Sequence, residues 1–85
     1  MFTNKSCDGK LNLCGSVVAS RRKQMRKSQR ELADLLQIAG LDIDKNAVQR
    51  IEAGKRFVTD IELVYLFKVL GLSYQELLHF PSAAD

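Results

Sequence analysis

The sequence predicts an all-α bundle of five helices, and three observations lead to that class. Ser28 with Glu31, Thr59 with Glu62 and Ser73 with Glu76 repeat an S/T-x-x-E box just after a glycine or a basic break. In such a box the hydroxyl accepts from the N3 amide while the Glu reaches back to the cap amide. Between the boxes, apolar residues recur at the three, four and seven residue steps of a helical face. A single proline, no Trp and 7% aromatic residues are unlike a β-sandwich.

The elements follow in order. At 85 residues the chain holds one core, because a shorter share of apolar residues would stabilise neither of two. Residues 1–10 are polar and read as a mobile leader, 11–80 as the folded domain and 81–85 as a tail. From Leu13 to about Arg26, Cys14, Val17, Val18 and Met25 form one apolar stripe opposite a basic face, giving the first helix. Ser28 and Glu31 open the second, whose inner side is Leu32, Ala33, Leu35, Leu36 and Ala39. Gly40 ends it in the left-handed conformation, with Leu41 as the following apolar contact. Asp44 caps a third helix carrying Ala47, Val48 and Ile51, closed by Gly54. Thr59 opens the fourth, with Leu63, Leu66, Phe67 and Leu70 inward and Gly71 as its stop. Ser73 opens a short fifth helix with Leu77 and Leu78 that ends before Pro81.

Charge placement says more than the net charge of +3. Arg21, Arg22, Lys23, Arg26, Lys27 and Arg30 crowd residues 21–30 with no acid among them, which favours a polyanionic partner. Catalysis finds no constellation to use. His79 stands alone, and Cys7 and Cys14 match neither a CxxC redox motif nor a zinc framework. No phosphate loop is present, so no cofactor, no metal and no enzymatic activity are expected. Apolar stretches are interrupted well before the roughly 18 residues of a membrane span, and a cytosolic protein with free thiols is the expectation.

The third helix carries the functional signal. Lys45, Asn46, Gln49 and Arg50 fall on one arc, since positions one, four and five apart cluster at 3.6 residues per turn. Asn and Gln pair with adenine, and Arg or Lys with the O6 and N7 of guanine, so this face holds the donors that read major-groove edges.

The run from Val17 to Leu78 resembles the phage repressor and Cro-like helix-turn-helix family, often called the XRE type. The residues that carry the likeness are Arg22, Ser28 to Ala33, Val48 to Arg56 with its I-E-x-G-K-R stretch, and Leu70 to Ser73. The resemblance implies a compact five-helix DNA-binding domain, commonly dimeric, with a transcriptional role in bacteria or phages. It implies base contacts from Lys45, Asn46 and Arg50, with Gln49 as the weaker candidate, and phosphate contacts from Gln29 beside its cap Ser28. Lys55 and Arg56 match backbone-contacting positions, and Arg22 and Glu52 match a structural pair between the first and third helices. One departure stands out: Gln37 to Ile43 lengthens the connection between the second and third helices. An extra turn on the second helix, then a loop anchored by Leu41 or Ile43, accommodates it.

A monomer reads few bases, so a homodimer on an inverted repeat, with half-sites about 34 Å apart, is expected. Leu72, Tyr74, Leu78 and Phe80 are the candidate dimer contacts. The leading function is a sequence-specific double-stranded DNA-binding regulator, a repressor. The alternative is an antitoxin-like or other protein-interaction module that also binds DNA. A membrane binder built on residues 21–30 lacks aromatic anchors.

Overall fold

The computed structural model describes residues 9–78, which form α1 (Gly15–Gln24), α2 (Gln29–Ala39), α3 (Lys45–Glu52), α4 (Asp60–Leu70) and α5 (Tyr74–Leu78), with no strand among them. Cys7, His79, Phe80 and Pro81, most of the leader and the tail lie outside the described residues. Order reaches back to the end of the expected leader. The Leu11 N–H donates to the Gly54 carbonyl at 2.9 Å, and the Lys10 side chain lies over Gly54.

Side chains set where the helices begin. At α2 the Ser28 hydroxyl accepts from the Glu31 N–H at 3.0 Å and the Ser28 N–H donates back to the Glu31 carboxylate at 2.8 Å. Thr59 and Glu62 make the same reciprocal pair at α4, at 3.1 and 3.0 Å. Asp44 caps α3 by accepting from the Ala47 N–H at 2.8 Å. The third box is only half made. Glu76 accepts from the Ser73 N–H at 2.9 Å, but the Glu76 N–H goes to the Ser73 carbonyl at 3.1 Å and not to its hydroxyl.

All four longer helices end in one kind of closure. The residue after a left-handed position donates its N–H to the carbonyl five residues back: Lys27 to Arg22 at 3.1 Å, and Leu41 to Leu36, Lys55 to Arg50 and Leu72 to Phe67 at 2.9 Å each. These bonds satisfy carbonyls that the helix itself leaves open. The left-handed residues are Arg26, Gly40, Gly54 and Gly71.

α1 is shorter than its sequence pattern at both ends. Leu13 and Met25 lie outside it and are exposed, and of the expected stripe only Cys14 and Val18 are buried. The cause at the start is Asn12, whose Oδ1 accepts from the Gly15 N–H at 2.8 Å and so sets the first turn. At the other end the chain turns left-handed at Arg26.

The core joins Cys14 and Val18 of the first segment to Leu32, Ala33 and Leu36 of α2, Ile43, Val48 and Ile51, and Leu66, Phe67 and Leu70 of α4. Leu35 and Leu63 are half-buried, and Ala39 is exposed, because the last turn of α2 extends past the core. α1 and α2 each pack on both α3 and α4. The lengthened connection becomes an extra turn of α2 followed by residues 40–44. Ile43 is buried, Leu41 packs at the core edge, and the Gln37 side-chain amide donates to the Ile43 carbonyl at 2.7 Å.

Candidate nucleic-acid interface

Burial of Val48 and Ile51 fixes the rotation of α3 about its axis. Lys45, Asn46, Gln49 and Arg50 are consequently all exposed, and none of the four side chains makes a hydrogen bond or ion pair with a described residue. Two shallow depressions join this face to its surroundings. Arg30 and Asp34 of α2 share one with Lys45 and Asn46, while Asn46, Gln49 and Arg50 share the other with Lys55. Asn46 belongs to both, so one continuous strip runs from the first half of α2, along α3, to the loop beyond it.

Glu52 holds this strip in place. It lies at the end of α3 and accepts from Arg22 Nε at 2.7 Å and from Arg22 Nη2 at 3.0 Å. The Gln29 side-chain amide donates to the same carboxylate at 3.0 Å, and Arg22 Nη1 donates to the Lys27 carbonyl at 2.9 Å. The two charged side chains are 11% and 7% exposed, so their pairing is poorly screened, and the bond to Glu52 raises the pKa of Arg22. One carboxylate thus ties α1, the α1–α2 turn and the first residue of α2 to the end of the helix that bears Lys45, Asn46, Gln49 and Arg50.

Most of the basic side chains fall into two groups. Arg21 pairs with Glu76, Arg22 with Glu52 and Arg56 with Glu62. Lys23, Arg26, Arg30, Lys45, Arg50, Lys55 and, on α4, Lys68 are exposed without such a partner among the described residues. Exposed cations therefore stand on α3, at the start of α2, in the turn before it and in the loop after α3, with the exposed carboxylates of Asp34 and Asp44 beside Lys45.

Arg56, expected at a backbone-contacting position, is engaged within the fold. Its Nη1 and Nη2 fork onto the two Glu62 oxygens at 3.0 and 2.9 Å, and Nη1 also donates to the Phe57 carbonyl at 3.1 Å. It braces the loop that presents Lys55, which is exposed. Ser28 is engaged in its cap, and Gln29 spends one amide hydrogen on Glu52. Of the dimer candidates, Leu72 is half-buried and packs against the edge of the core. Tyr74 is exposed, with its ring 5.2 Å from that of Phe67. Leu78 is exposed, and Phe80 lies outside the described residues.

Asn12 was invisible in the sequence. Its Nδ2 donates to the carbonyls of Ile51 at 3.1 Å and Arg56 at 2.8 Å, tying the chain before α1 to both sides of the α3 terminus.

Residues 18–77 match a helix-turn-helix family model of the phage repressor and Cro-like type, a span running from α1 into α5. The chain belongs to the XRE-type helix-turn-helix family. It is a DNA-binding helix-turn-helix protein, and α2 and α3 are the two helices of the motif. No curated protein and no solved structure matches the chain. Among the described residues of this helix-turn-helix domain, no helix is long and apolar enough to cross a membrane and no cluster of His, Cys, Asp and Glu could hold a metal ion.

Proposed function

We propose that this protein is a sequence-specific transcriptional repressor that reads the major groove of double-stranded DNA with α3 and binds an inverted repeat as a homodimer. The observation that carries the reading is the partnerless, exposed quartet Lys45, Asn46, Gln49 and Arg50 on a helix held by the Glu52 network. These side chains spend nothing on the fold and offer bidentate pairing to purine edges. Ser28, Gln29 and Lys55 contact phosphates and set register, and Arg56 keeps the Lys55 loop in place. Residues 11–80 form the working domain.

Selection of random duplex DNA by the purified chain at about 150 mM salt, repeated with Arg50→Ala, tests this. An enriched inverted repeat is expected, with Arg50→Ala costing about 1 to 3 kcal/mol on that site and relaxing preference at one base pair. Binding without enrichment in the unsubstituted chain would overturn sequence reading. A second reading, an antitoxin-like module that also binds DNA, draws on exposed Ile38, Ile61 and Val64, apolar surface that a partner protein would cover. A second protein that co-purifies stoichiometrically would favour it.

A further inference from the structure

The four helix closures form an internal comparison. Three place glycine at the left-handed position, Gly40 at φ 115°, Gly54 at 74° and Gly71 at 65°, and the fourth places Arg26 at φ 58°. The backbone hydrogen bonds are the same in kind at all four, so the closure after α1 has no need of a side chain. A Cβ in this conformation crowds the following carbonyl oxygen, and Arg26 therefore lowers stability relative to the glycine used elsewhere.

Among the described residues no side-chain contact of Arg26 offsets that loss. The Arg26 side chain is exposed and makes no hydrogen bond or ion pair with a described residue. Strained conformations persist where the surroundings over-determine them. Here Arg22 does so: its guanidinium holds the Lys27 carbonyl at 2.9 Å and is forked on Glu52 at the end of α3. Arg26 thereby precedes a residue tied through Arg22 to the end of α3, and Lys23 and Arg30, three residues before it and four after it in the chain, are two further exposed cations.

We infer that Arg26 is a DNA-phosphate contact, presented by the strained α1–α2 turn to the duplex backbone beside the base pairs that α3 reads. Its planar guanidinium suits a phosphate in bidentate geometry. The inference rests on the DNA-reading function proposed above and adds a residue to its backbone contacts.

Arg26→Gly relieves the backbone and removes the contact together, and the two effects are read separately, the first in thermal stability and the second in duplex binding. Binding of the full chain to a labelled mixed-sequence duplex is measured between about 50 and 200 mM salt, alongside thermal unfolding. Arg26→Gly is expected to raise Tm by about 4 °C, weaken duplex binding about tenfold and reduce the log–log salt slope by about 0.9. Arg26→Lys keeps the charge and the strain, so its Tm and salt slope stay near those of the unsubstituted chain. Unchanged affinity and slope in Arg26→Gly, with Arg50→Ala still relaxing base preference, would overturn the contact and leave the proposed function standing. A lowered Tm in Arg26→Gly would overturn the strain argument. Absence of any duplex binding by the unsubstituted chain would remove both.

Discussion

Glu62 serves the fold twice, and that makes its ionisation a stability term. It accepts from the Thr59 N–H as part of the α4 cap and receives the fork of Arg56. The bond to Arg56, ahead of the Thr59 amide, lowers its pKa despite partial burial. A carboxyl lower in the folded than in the unfolded chain stabilises the fold above the ordinary Glu value of about 4.3, and that stability is lost as pH falls through the folded value. Urea unfolding followed from pH 6 downward is expected to show this loss, with a shallower pH dependence in Glu62→Gln; equal slopes would show that the pair does not act this way. At Cys14 burial instead pushes the thiol up to about 11, so it stays neutral and inert. The Arg56 fork was not legible in the sequence, because Glu62 had already been assigned to the Thr59 box and no periodicity links a loop arginine to it. Asn12 was hidden more deeply, since its carbonyl partners are 39 and 44 residues away.

Helix boundaries rest on local chemistry, and for that reason most were legible. Ser28, Asp44, Thr59, Gly40 and Gly71 act within a few residues of themselves. The exceptions are the places where another element intervenes. Gly15 reads in the sequence as simple punctuation, but in the structure it is the point where the start of α1 meets the end of α3. A Cβ there would collide with the Ile51 carbonyl oxygen and lie 3.1 Å from that of Glu52. Those are backbone atoms and cannot swing aside. Gly15→Ala is accordingly expected to destabilise the domain by about 2 kcal/mol, measured as a lowered denaturation midpoint with unchanged m. A neutral substitution would mean that the α1–α3 approach relaxes freely. The same approach positions Glu52, so the variant's DNA affinity should fall even under conditions where it remains folded.

At the scale of the whole molecule, the strip around α3 covers one half-site and the proposed repressor needs two. Leu78 is 78% exposed, more than a residue of the monomer's core or rim requires. Leu78→Glu is expected to leave the unfolding midpoint within about 0.5 kcal/mol of the parent, while shifting sedimentation toward monomer and weakening binding to an inverted repeat more than to a half-site. An unchanged dimer population would place the two-fold contact elsewhere. By itself the sequence determined the five-helix class, the caps and stops of α2, α3 and α4, the family and the outward quartet of α3, because each depends on spacing within one element or on a motif contiguous in the chain. Only the tertiary structure decided that Arg56 is braced by Glu62, that Leu72 packs at the edge of the core, that Asn12 and Gly15 join α1 to α3, and that Arg26 takes a left-handed conformation in the turn after α1. Those features depend on which segments meet after folding, and periodicity along one segment carries no information about the atoms of another.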